Sequence, residues 1–154
     1  IYDAHIMTGV AGKGRGMENA EALAQFLNRT NPAHVVNFSM FLHKEVPLYQ
    51  DIRQGTFVPA DELETIREEY HLIERIAPEK AGANILYDGF HDFIHVRVRG
   101  HLPGDNEKML AKLNGIIQEY EGKEPVYSFV QRECPDLEYC DDGKAVWDMD
   151  RKTS

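Results

Sequence analysis

Residues 5–59 read as a single strand–helix–strand unit: HIMTG, a turn VAGKGRG, MENAEALAQFLN, then HVVNFSMFLHK and a segment VPLYQDIRQGTFVP. No other feature narrows the fold as much. About 25 residues separate the ends of the two strands, a length that suits a helical crossover between parallel neighbours. Parallel units of this kind place the loop after each strand at the sheet's carboxyl edge, where α/β folds bind ligands. Gly9, Gly12, Gly14 and Gly16 crowd the first of those loops. A chain that opens on such a unit reads as the back half of something larger.

The spacing predicts a strand over 4–8 and a helix over 17–28, with Ala20, Leu23, Ala24 and Leu27 on one face. Asn31-Pro32 ends that helix, and a nearly continuous apolar strand follows over 34–42. Pro47-Leu48-Tyr49 then reads as a turn. A second helix starts after Pro59, with Asp61 and Glu64 as a capping box and Leu63, Ile66, Tyr70, Ile73 and Ile76 as its buried stripe. Two further strands are expected at 84–87 and 93–99, the latter with Ile94, Val96 and Val98 on one face and His95, Arg97 and Arg99 on the other. A third helix over 105–120 carries Met109, Leu110, Leu113, Ile116, Ile117 and Tyr120, and Gly122 closes it. A short strand is expected within 127–131, and order is expected to fade toward the end of the chain.

With 154 residues the chain suits one domain with a normal core, and 42% hydrophobic with 28% charged residues is an ordinary globular balance. A net charge of −9 argues against nucleic acid or an anionic membrane as a partner. No apolar run reaches the roughly 18 to 20 residues of a membrane span. Cys134 and Cys140, separated by five residues in an acidic tail, do not make a disulfide framework, and the expected compartment is cytoplasmic.

Several residues carry more than one reading. Glycines before a helix let backbone amides approach an anion, and Lys13 and Arg15 would add charge, yet neither the phosphate-loop nor the dinucleotide pattern is complete. The same loop also reads as a plain connection. His91, Asp92, His95 and His101 invite a metal, but on a strand His91 and His95 stand about 13 Å apart, so chelation would need a bend. Metal ligands are therefore not expected. His95, Arg97 and Arg99 form a basic row that either faces a carboxylate- or phosphate-bearing substrate or pairs with acidic groups of the chain itself.

The strand with its Gly-rich turn, the helix ENAEALAQFLN, the run HVVNFSMFLHKEVPLYQDIRQGTF, the helix DELETIREEYHLI and the segment HDFIHVRVRGHLPGDNEKMLAKL together resemble the radical S-adenosylmethionine (radical SAM) iron–sulfur enzymes. The likeness is to the Fe–S oxidoreductases of unassigned substrate, and it covers roughly residues 1–120 in order. It implies an α/β fold: the C-terminal part of a partial (β/α)6 TIM-like barrel (βαβα) over 1–80, a small α+β (β-β-α) extension over 81–122, and an acidic, partly irregular tail over 123–154. It implies that the whole protein cleaves S-adenosylmethionine reductively and uses the 5′-deoxyadenosyl radical on an unknown substrate. The family's CxxxCxxC loop, which holds the 4Fe–4S cluster, is absent here, so this piece alone is expected to bind neither cofactor and to be inactive. In the resemblance, Gly9, Val10 and Gly12 lie beside the adenosyl group and Met40 and Phe41 pack against the adenine. Phe90 stands where the family has an asparagine before the residue matching His91. No acid, base or hydrogen donor is assigned. The implied partners are the cofactor, a substrate and the missing N-terminal half, with self-association through an exposed strand edge. The alternative is a stand-alone nucleotide- or anion-binding or interaction module without redox chemistry.

Overall fold

The computed structural model describes residues 2–130. Its elements follow in the order β1 (Asp3–Thr8), α1 (Gly16–Thr30), β2 (His34–Ser39), β3 (Leu42–His43), α2 (Pro47–Gln54), α3 (Glu62–Arg75), β4 (Ile85–His91), β5 (Val96–Leu102), α4 (Asn106–Tyr120) and β6 (Phe129–Val130). They form a mixed α/β fold with an open four-stranded sheet, order β1-β2-β4-β5, and four helices. β1 lies parallel to β2 in the register Ala4↔Val35 and Thr8↔Ser39, so the expected parallel pair is present. β4 continues the parallel run, and β5 closes it antiparallel. β3 and β6 form a separate two-stranded ladder.

Each long helix follows from its sequence. In α1 the stripe Ala20, Ala24 and Leu27 is buried, and Asn31 ends the helix in the left-handed region (φ 47°), its N–H donating to Leu27. Asp61 caps α3 by accepting from the Glu64 amide at 2.8 Å, which satisfies one of the free donors of the first turn. Ile66, Leu72 and Ile73 of α3 and its C-cap Ile76 join Ala4, Val35, Ile85, Tyr87, Val98, Leu102, Met109 and Leu113 in one core. The β4–β5–α4 segment, expected as an extension beyond residue 80, thus shares the sheet and the core of the first half.

Three expectations shift. The second strand stops at Ser39, and Met40 and Phe41 lie in the link to β3. The Pro-Leu-Tyr turn is the start of helix α2, with Pro47 in its first turn and Gly55 as a left-handed cap (φ 76°). Between β4 and β5 the chain makes a single 3-10 turn over Asp92–Ile94, and His95 is left-handed (φ 53°). The basic row therefore begins at Arg97 and runs through Arg99 to His101, not from His95. The cysteines and most of the acidic tail lie outside the described residues.

One face of the sheet packs under α1, α3 and α4. Its rows, read across the register, run Ala4–Val35–Tyr87–Gly100, then Ile6–Asn37–Gly89–Val98, then Thr8–Ser39 with His91 and Val96 alongside. The sheet interior grows more polar toward the carboxyl ends of its parallel strands. Among the described residues, no helix is long and apolar enough to cross a membrane.

Candidate functional site

The buried face of α3 has the complementary gradient. Its first two turns bury Glu62, Thr65, Glu68 and Glu69 with a single apolar residue, Ile66, among them, and its later turns bury only Leu72 and Ile73. A helix returning over a parallel sheet starts at the carboxyl edge, so its carboxylates meet the polar ends of the strands. Three glutamates, each at most 2% exposed, therefore lie beneath that edge. Buried carboxylates survive only when paired and hydrogen-bonded.

The pairing centres on His91. Its Nδ1 lies 3.0 Å from Glu62 Oε2 and its Nε2 lies 3.0 Å from Glu69 Oε2. Tyr87 donates its hydroxyl to Glu69 Oε1 at 2.8 Å, and Asn37 donates to the same oxygen at 3.2 Å. Ser39 donates to Glu62 Oε1 at 2.7 Å. Tyr87, Gly89 and His91 alternate on one face of β4, and Glu69 sits over the gap that Gly89 leaves. A Cβ at Gly89 would overlap Glu69 Oε1, so no larger residue fits without displacing the carboxylate. Burial alone would lower the basicity of His91, but the hydrogen bonds and charges of Glu62 and Glu69 outweigh it and raise its pKa to about 10. The ring is thus an imidazolium between two carboxylates. Burial beside Glu69 holds the Tyr87 hydroxyl well above its ordinary value, so it stays a neutral donor.

Glu68 extends the network to the glycine loop. One oxygen accepts from the Gly9 amide at 2.9 Å and the other from the Asn19 amide nitrogen at 2.5 Å. Burial raises its pKa against the pull of those donors. The loop amides are otherwise turned to the chain itself: Gly12 donates to Gly9 O at 3.0 Å, Lys13 to Val58 O at 2.8 Å and Arg15 to Gly12 O at 3.2 Å. Gly9 and Gly12 have positive φ, and a Cβ at either would press on Thr65 or on Val58 and Phe57. These glycines serve a tight turn packed against α3 and residues 57–58. Arg15 pairs with Glu18. An anion cradle of loop amides, one of the two readings of the residues, finds four of its donors already engaged.

Of the adenosyl-site residues that the resemblance implies, Gly9 and Val10 follow β1 and Met40 and Phe41 follow β2, beyond the carboxyl ends of the two strands; the Met40 amide donates to Thr8 O at 2.9 Å. Val10 and Phe41 are exposed, whereas Gly9 and Gly12 are buried. The set can supply an apolar wall but no polar hold on a cofactor. An iron–sulfur cluster does not fit the described residues: they contain no cysteine, and no three His, Cys, Asp or Glu side chains among them are grouped to hold a metal. His91, His95 and His101 diverge. His91 points into the core, His95 lies past the 3-10 turn, and His101 Nδ1 sits 3.1 Å from Asn84 Oδ1.

On the opposite face of the sheet, Arg97 meets Asp88 through two hydrogen bonds of 2.8 and 2.6 Å, and the Arg99 Nε lies 3.7 Å from Asp88 Oδ2. The Arg97 hydrogen bonds, against partial burial and with the charge of Arg99 added, hold the Asp88 carboxyl below the usual carboxylate range. Sequence reasoning missed the glutamates of α3, since acidic residues in a helix read as solvated. Glu62 and Glu69, four residues before and three after Ile66 on the stripe that continues to Ile73, were the available signal. No family model matches the chain, and neither a curated protein nor a solved structure is significantly similar to it.

The His91 bridge makes stability depend on pH with a definite sign. Its folded pKa (about 10) lies above the ordinary 6.5, so the stabilisation is complete below about pH 6.5 and fades as pH rises to about 10. The loss is about 1.4 kcal/mol per pH unit across that window. His91→Gln leaves two buried carboxylates facing each other and is expected to cost about 3–5 kcal/mol near pH 6. In urea denaturation the gap between wild type and variant should narrow toward pH 10. A gap that stays constant with pH would show that His91 is not held as a cation.

Proposed function

We propose that this chain is the trailing portion of a radical SAM-type barrel. The observation that carries the reading is the order of the strands: β1, β2 and β4 are parallel neighbours in chain order, and α1 and α3 pack together on a single face of them. A doubly wound sheet reverses its strand order and covers both faces, whereas a barrel segment advances in one direction with its helices outside. On this reading the face carrying Met7, Phe38, Phe90 and Arg97 is the lumen, and the carboxyl edge with Val10, Met40 and Phe41 is the cofactor side. The outer edge of β1 pairs with no strand among the described residues, and it is where the preceding barrel strand would add.

Held on a cluster by residues outside this chain, S-adenosylmethionine would supply hydrogen-abstraction chemistry; the protein's share would be placement and exclusion of water. In this chain Val10, Met40 and Phe41 would form an apolar wall against the adenine. The Glu68–Gly9 hydrogen bond fixes the loop that carries Val10, and the Met40–Thr8 bond fixes the end of β2 beside it. The cluster would be held by residues outside this chain. The adenosyl wall is a positioning surface, and no proton donor or acceptor of the reaction is assigned here.

The test is the coding region upstream of Ile1. A CxxxCxxC motif roughly 100 to 200 residues ahead, the extent of a barrel-sized portion, is expected. An open reading frame without it would overturn the assignment. Two measurements on the isolated chain accompany it. Anaerobic reconstitution with iron and sulfide should leave no stoichiometric cluster, and one that forms would contradict the reading. Light scattering should give a mass above one chain of 17.6 kDa, through pairing of the free β1 edge; a clean monomer at high concentration would count against it.

A further inference from the structure

The face of the sheet turned away from α1, α3 and α4 carries an arrangement that the network beneath the carboxyl edge does not use. Across the register, one row reads Met7–Phe38–Phe90–Arg97 and the next reads His5–Val36–Asp88–Arg99. The Phe38 and Phe90 rings stack at 5.5 Å with 16° between their planes, and the Arg97 guanidinium lies 4.7 Å from the centre of Phe90. Asp88 is nearly buried at 7% side-chain exposure and is fully engaged by Arg97. Arg97 is thus fixed from two sides, by a bidentate carboxylate and by a ring face.

Arg99 differs. Its approach to Asp88, 3.7 Å, is an ion pair but too long for a hydrogen bond. Among the described residues Arg99 makes no hydrogen bond, and its side chain is 56% exposed. Two guanidiniums share one carboxylate, which leaves a unit of positive charge at this spot in a chain of net −9. A guanidinium fork matches a carboxylate in two parallel hydrogen bonds. In the adjoining row the half-buried side chains of Met7, Phe38 and Phe90 form an apolar shelf toward the carboxyl ends of the parallel strands.

We propose that this face binds a ligand that joins a carboxylate to a flat apolar body, with the carboxylate on Arg99 and the body along the Phe38–Phe90 shelf. The charge alone would take any small anion; the shelf selects one with an apolar surface to bury. Arg97 takes both hydrogen bonds of Asp88, so the Arg99 guanidinium, held there only by the longer ion pair, keeps its own N–H donors for a ligand. The site rests on the sheet geometry and not on the barrel reading. Were that reading also correct, the ligand would be the substrate class of the lumen.

The test titrates 2-naphthoate into the full chain near neutral pH and low salt, followed by NMR shifts of the Phe38 and Phe90 rings. Two further probes separate the contributions: 2-naphthamide has the body without the charge, and inorganic phosphate has charge without the body. Naphthoate is expected to bind about tenfold or more tightly than either, as one charge-assisted contact and one apolar contact would each give. Arg99→Gln, a half-exposed position with no hydrogen bond in the fold, should keep the wild-type circular dichroism and lose that preference. Equal binding of the three probes, no shift at the two rings, or unchanged naphthoate affinity in Arg99→Gln would overturn the proposal. Because the motif search upstream of Ile1 reads a different property, either result can fail without the other.

Discussion

The two hydrogen bonds that clamp His91 between Glu62 and Glu69 are the interaction on which the rest of this fold depends. Burying carboxylates under a sheet is costly unless a cation meets them with good geometry. His91 is that cation, and it is supplied by the last residue of β4. Through Glu62 the clamp reaches Ser39 at the end of β2, and through Glu69 it reaches Tyr87 and Asn37. Glu68, one residue from Glu69, ties the Gly9 amide at the end of β1. The carboxyl ends of three parallel strands are thus gathered by the first two turns of one helix.

This arrangement divides the labour of the sheet. On the helix side, the polar groups at the carboxyl edge answer one another, so they serve to hold loops in place. The glycine loop is held by the chain's own atoms, through the amides of Gly9, Gly12, Lys13 and Arg15 and the close packing at Gly9 and Gly12. On the face turned away from the helices, Arg97 and Arg99 share the one carboxylate of Asp88, and beyond the strand ends Val10 and Phe41 are exposed. The Asp88–Arg97 pair is bidentate, and Arg99 approaches the same carboxylate only at ion-pair distance.

Much of the architecture was legible because burial writes a period into the sequence. The stripe Ala20, Ala24 and Leu27 places α1, and the pattern Ile66, Ile73 and Ile76 places α3. The parallel pairing of β1 with β2 followed from the length of the crossover between them. Helix α2 was hidden because its eight residues leave room for only a short stripe, Leu48, Tyr49 and Ile52; Pro47 followed by Gly55 was a start and stop pair that composition read as a turn. The clamp was hidden for a deeper reason. Glu62, Glu68 and Glu69 look solvated until His91 is brought over them, and that contact joins residues 22 to 29 positions apart. Likewise, His91 and His95 looked like a pair on one strand because nothing local announces the 3-10 turn between them.

The central claim is that an imidazolium, not a neutral imidazole, sits beneath the carboxyl edge. Nitrogen-15 NMR of the histidine rings at about pH 8 tests it most directly, since that pH lies between the ordinary 6.5 and the value of about 10 for His91. The prediction is that both ring nitrogens of His91 carry protons at that pH. A His91 ring with one protonated and one bare nitrogen would contradict it.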